Sequence, residues 1–187
     1  MSNAEPLAGV VLAGAAAFAA TNVDDLLLLT AFFAAGTYRA RDVVLGQYAG
    51  IGLLFAASAA ASLISLVIPA SHLSLLGLLP MLIGLQQLFG KSVPEQTVPA
   101  SSGLLSVAAV TVANGGDNIG VYAPLFATSS AQAIAAMGAV FAAMTALWCL
   151  AARWLVLHPA AAPPIRRYGP KVMPLVLIGI GLLILAS

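Results

Sequence analysis

With 61% of its 187 residues hydrophobic and only 7% charged, the chain has far more apolar surface than a soluble protein of this size can bury. Ordinary soluble domains carry about a quarter charged residues, so the solvent this composition calls for is a bilayer, and the length suits one membrane transport domain over residues 1–187. A net charge of +1 gives no basic face for nucleic acid, and the single cysteine, Cys149, excludes an internal disulfide and a zinc site of several thiolates.

Six apolar spans can be drawn, over residues 6–35, 43–69, 73–90, 103–128, 131–156 and 171–186. A straight crossing takes about 20 residues, so the first and fourth have length to spare for a tilt or a break. The first span lacks the basic flank of a secretory signal and is expected to be a retained helix. A polar linker at 91–102, rich in proline and serine, divides the chain into repeats of about 6–90 and 103–187. The longest other break is expected at 158–170, which carries Pro159, Pro163 and Pro164.

Charge gives the orientation. Arg39, Arg41, Lys91, Arg166, Arg167 and Lys171 fall in the connections on one side, with Arg153 at its edge, and no Lys or Arg falls on the other. The positive-inside rule therefore places both termini outside. Three spans per half also means that the two halves sit upside down relative to each other.

Two polar knots interrupt the apolar runs. The first is Thr21-Asn22-Val23-Asp24-Asp25; the second is Asn114-Gly115-Gly116-Asp117-Asn118. Both contain Asn-x-x-Asp, at an offset of 92 residues, and together they hold three of the six acidic residues. A carboxylate at the centre of a membrane helix costs roughly 2.5–3.5 kcal/mol on insertion scales and marks a functional site by default. A weaker echo, Ile83-Gly84 and Ile178-Gly179, follows in the same order. The pattern predicts an all-α protein of six transmembrane helices in two inverted three-helix repeats, with helices one and four broken at midplane.

The residue types in the knots suit a cation. Gly115-Gly116 weakens the helix and frees backbone carbonyls. Asp25 and Asp117 are candidate primary ligands and Asp24 a ligand or proton carrier; Asn22, Asn114 and Asn118 supply neutral oxygens. Adjacent Asp24 and Asp25 diverge by about 100° on a regular helix, so both reach one site only where the helix is distorted. Three carboxylates without a buried Lys or Arg repel one another, and a divalent cation, or protons in its absence, would relieve the repulsion. That makes Asp24, Asp25 and Asp117 candidates for coupling metal to protons. Thr21, Thr111, Gln47, Tyr48 and Tyr122 are candidates to line the cavity, and Gln86-Gln87 could approach it.

The plainer readings differ by residue. A polar side chain in a membrane helix is often interhelical glue, worth around 0.6 kcal/mol. Gly46, Gly50 and Gly52 read as close helix packing. His72 and His158 fall at the interfaces. The Gly-Gly-Asp run is only superficially like the Gly-x-Gly-Asp of intramembrane aspartyl proteases, because Asn114 stands where the first glycine belongs. No Ser–His arrangement or phosphate loop is visible, so no enzyme is expected.

Three stretches, Ala20-Thr-Asn-Val-Asp-Asp25, Gly46-Gln-Tyr-Ala-Gly50 and Thr111-Val-Ala-Asn-Gly-Gly-Asp-Asn-Ile-Gly-Val-Tyr122, resemble the cadmium resistance transporter (CadD-like) family, within the LysE-type superfamily of small bacterial exporters. The resemblance implies a bacterial cytoplasmic membrane protein that exports cadmium, zinc or a related divalent ion. It places the family's acidic and amide positions on Asn22, Asp24, Asp25, Asn114, Asp117 and Asn118. An all-oxygen site is hard, suits releasable binding and does not by itself prefer cadmium to zinc, manganese or calcium.

The partners to expect are a divalent metal ion as substrate, protons as counter-ion and the lipid bilayer, with no resident cofactor and no nucleic acid; a homo-oligomer is left open. The alternatives are an amino-acid exporter of the LysE type and a passive cation channel.

Overall fold

The computed structural model describes residues 7–89 and 103–186, and every regular element among them is helical. The linker at 91–102 lies outside the described residues. The first apolar run folds as two helices, α1 (Leu7–Thr21) and α2 (Val23–Ala34), which meet at Asn22 with a bend of 59°. Local chemistry accounts for the bend. Thr21 donates its hydroxyl back to Ala17 O at 3.1 Å, and the Asn22 amide donates to Phe18 O at 2.8 Å, so side chains compete with the backbone ladder. Asn22 itself leaves helical geometry, at φ −120° and ψ 17°.

The next run gives α3 (Ala40–Ser62), prolonged by a 3-10 turn to Leu66. Its buried positions Val43, Gly46, Gln47, Gly50, Ile51, Leu54 and Ser58 recur at three and four residues, which is one helical face. A short turn, α4 (Ala70–Leu73), leads through a second 3-10 turn into α5 (Leu78–Phe89). The fourth run is again double: α6 (Leu104–Asn114) and α7 (Gly116–Ala127) meet at Gly115, at φ −83° and ψ 25°. Gly115 is required by space, because a Cβ there would run into the Leu54 side chain of α3.

Next comes α8 (Ala131–Leu157), whose first turn is capped by Ser130, the hydroxyl accepting from Ala133 N at 3.2 Å. The last helix, α9 (Ala162–Leu185), begins nine residues before the expected span. Most of the break expected at 158–170 is therefore helical, because Pro163 and Pro164 fall in the first turn, where a missing N–H costs nothing and a fixed φ suits the helix.

The two halves exchange helices. From the first half, α3 packs on α6 and α7; from the second, α8 packs on α1 and α2. The third helices, α5 and α9, pack on each other. Small residues set these approaches. A Cβ on Gly46 would stand 2.6 Å from Val107 Cβ, and one on Gly50 2.6 Å from Thr111 Cβ, so α3 and α6 meet where side chains are absent. Gly52, one of the three glycines expected to pack, has open space instead. Between α5 and α9, Gly181 and Gly77 (the latter in the turn before α5) face each other so closely that a Cβ on either would meet the other's carbonyl.

The core joins both halves through aromatic rings. Phe18 meets Phe141 and Trp148 edge-on at centroid separations of 5.5 and 5.4 Å, and Tyr122 lies 4.6 Å from Phe141. The outer surface carries exposed leucines such as Leu12, Leu66, Leu105, Leu150 and Leu157, as a lipid-facing surface does. Two helical stretches of 27 residues, Ala40–Leu66 and Ala131–Leu157, are each long and apolar enough to cross a membrane, and the bent pair α1–α2 would make a third. Ser74–Phe89, Leu104–Asn114 and Lys171–Leu185 are shorter apolar helices. At 1.5 Å per residue, the 11 residues of α6 reach only about 16 Å, so it needs α7 to span a hydrocarbon core of about 30 Å.

Candidate functional site

The two breaks face each other and are tied by their own side chains. Asn118 Nδ2 donates to Asn22 Oδ1 at 3.4 Å. From α7, Tyr122 reaches the first break, its hydroxyl 2.8 Å from Asn22 Nδ2 and 2.7 Å from Thr21 Oγ1. Asn22, Tyr122, Asn118, Thr111 and Thr21 are all buried, as one expects of polar groups that find partners across helices. Trp148 of α8 completes this floor, donating its indole N–H to Asn22 O at 2.6 Å. Trp148 carried no signal in the sequence beyond the need of a buried indole for an acceptor.

The carboxylates lie beside this floor. Asp24 and Asp25 occupy the first turn of α2, and Asp117 the first turn of α7, each at the positive end of its helix. The bend brings both members of the Asp24–Asp25 pair to one nitrogen: Asn114 Nδ2 donates to Asp24 Oδ2 and to Asp25 Oδ1, each at 2.8 Å. The remaining oxygens are also met. Asp24 Oδ1 accepts from Asp25 N at 3.0 Å, and Asp25 Oδ2 accepts from Gln47 Nε2 at 2.9 Å. Gln47 in turn accepts from Thr111 at 2.7 Å, so α2, α3 and α6 are joined through one amide.

Asp117 is less completely paired. Its Oδ2 takes a long bond, 3.3 Å, from Gln87 Nε2 on α5. Its Oδ1 is buried with no partner, and so is Asn118 Oδ1 on the next residue. Each is a buried acceptor left without a hydrogen bond of good geometry, which costs about 1–3 kcal/mol per group. The three aspartates stand close enough to repel one another.

Of the residues expected at the cavity, Thr21, Gln47, Thr111 and Tyr122 are in the cluster. Tyr48 is not: the residue is 37% exposed and its hydroxyl donates to Ala142 O of α8 at 2.9 Å. The cause is rotation, since Tyr48 follows Gln47 by about 100° on α3 and points to a different neighbour. Gly115 is the break itself and Gly116 opens α7, with free space where a Cβ would stand. Among the described residues no three His, Cys, Asp or Glu side chains form a ready metal cage. What gathers instead is a mixed oxygen set of carboxylates, amides and hydroxyls.

Comparison with known proteins gives one match. A family model described as "Cadmium resistance transporter" fits residues 18–187, a range that contains both breaks and every residue of the cluster. No curated protein and no solved structure matches the chain. A helical chain with apolar membrane-length segments and this match is a membrane protein of the cadmium resistance transporter family.

Proposed function

We propose that the chain exports a divalent heavy-metal cation, cadmium or zinc, from the cytoplasm across the bacterial inner membrane by secondary active exchange for protons. Asp25 and Asp117 act as the primary ligands and Asp24 as a ligand or proton carrier; Asn22 and Asn118 supply neutral oxygens, while Asn114, expected as a third, turns its nitrogen to Asp24 and Asp25. The observation that carries this reading is the pair of buried oxygens without donors, Asp117 Oδ1 and Asn118 Oδ1, beside two further carboxylates. Buried acceptors in that number call for a positive charge that the side chains around them do not provide.

We infer six spans in two inverted repeats, about 6–90 and 103–187, with both termini outside by the positive-inside rule. The reciprocal packing of α3 on α6 and α7, and of α8 on α1 and α2, is the exchange that a pseudo-two-fold axis would produce. Rocking of the repeats about the breaks would then expose the cluster to each side in turn.

An amino-acid exporter is less well supported. Its substrate's carboxylate would need a basic side chain or a free helix N-terminus, and the N-termini of α2 and α7 already face aspartates. Flux across sealed proteoliposomes, with a panel of divalent ions and a pH indicator inside, tests the proposal. Wild-type protein is expected to move metal against protons, and Asp25→Asn and Asp117→Asn each to lose on the order of tenfold or more. Unchanged flux in both variants sinks the site; metal flux without proton movement makes the protein a channel.

A further inference from the structure

Every oxygen of the Asp24–Asp25 pair has a donor, and the one at the centre of the pair belongs to Asn114. An amide NH2 has two protons and no more, and here one goes to each carboxylate at 2.8 Å. Bridging two carboxylates in this way is what a cation bound between them would do. Asn114 thus offers the pair its nitrogen, whereas a metal ligand offers oxygen. On the same segment, three and four residues further on, Asp117 Oδ1 and Asn118 Oδ1 are buried without donors. One part of the cluster is therefore filled from within, and the other is waiting.

We propose that Asn114 is a stand-in for the cargo and sets the charge that cargo must carry. Resting on the export reading above, the cation displaces the Asn114 amide from between Asp24, which is exposed, and Asp25, which is buried. Displacement breaks two hydrogen bonds to charged groups, which are stronger than those between neutral ones. A divalent ion neutralises the two carboxylates, whereas a monovalent one leaves the pair with a net negative charge. The amide thus sets a threshold that a doubly charged ion clears and sodium or potassium does not. Once the ion leaves, the amide returns and the empty pair needs no monovalent ion to hold it together.

The test is equilibrium binding of Cd2+ and Zn2+ to the purified full chain in nanodiscs, with and without excess Na+, for wild type and Asn114→Ala. Removing the internal competitor is expected to tighten divalent binding by about tenfold and to make it sensitive to Na+, while wild type stays insensitive. Asn114→Ser keeps a small polar group at the break but cannot donate to both carboxylates; it is expected to fall between the two and decides the matter should Asn114→Ala fail to fold. Weaker or equal divalent binding in the variants, or binding still indifferent to Na+, overturns the stand-in role while leaving export intact. Wild-type protein that binds no divalent ion overturns the export reading, and this inference with it.

Discussion

Tyr122 and Asn22 lie 100 positions apart, yet the Tyr122 hydroxyl sits 2.8 Å from the Asn22 amide, so the second half of the chain holds the break of the first. Tyr122→Phe removes that partner and the bond to Thr21 together. It is expected to cost about 1–2 kcal/mol, at the low end for a buried polar group, because Asn22 keeps Phe18 O. Thermal unfolding in detergent measures this. A melting temperature equal to wild type would show that the tie carries no stability.

Gln47 joins Asp25 to Thr111, and changing it tests how tightly Asp25 is held. Gln47→Glu sets a carboxylate where the amide donor was, facing Asp25. Unfolding without metal should then come earlier than in wild type, and added divalent cation should recover more stability than it gives wild type. Melting curves with chelator and with Zn2+ check both halves of this expectation.

Metal should stabilise the native protein by mass action. At a free concentration about a hundredfold above its dissociation constant, a cation that binds only the folded state adds about 2.7 kcal/mol. That gain should appear with Cd2+ or Zn2+, shrink in Asp117→Asn and be absent with Na+. Equal shifts in wild type and Asp117→Asn would remove Asp117 from the binding set.

The contact of α3 with α6 can be tested by a single methyl group. Gly50→Ala puts a Cβ 2.6 Å from Thr111 Cβ and should cost about 1–3 kcal/mol while disturbing the Thr111–Gln47 bond. On the same helix Gly52 has nothing within 4 Å, so Gly52→Ala should be neutral or stabilising by about 0.5–1 kcal/mol. Opposite effects from two substitutions two residues apart would mark the helix face; equal effects would contradict the packing.

Much of this arrangement was legible because polarity is conspicuous in an apolar chain. Asn22, Asp25, Asn114 and Asp117 stood out at one offset, and the structure places helix breaks at Asn22 and at Gly115, beside Asn114. Gly46 and Gly50 were read as packing and do pack; Gly52, alike in sequence, faces open space, because only rotation about α3 tells them apart. The same rotation carries Gln47 into the cluster and Tyr48 to α8. Trp148 stayed hidden, since its role depends on an acceptor 126 residues away, the Asn22 carbonyl, which only the packing of α8 on α1 and α2 brings to it. The prolines near 163 suggested a gap but open α9, a choice made by their place in its first turn.

The exchange of helices between halves bears on how the protein is made. When the first three spans have left the ribosome, α3 has no α6 or α7 to lie against, and Asp24 and Asp25 have no Asn114 between them. The polar cluster therefore comes together only once α6 and α7 are in place. A chain cut before α6 would lack the partners that close the cluster, and on the proposed reading it would have no metal site.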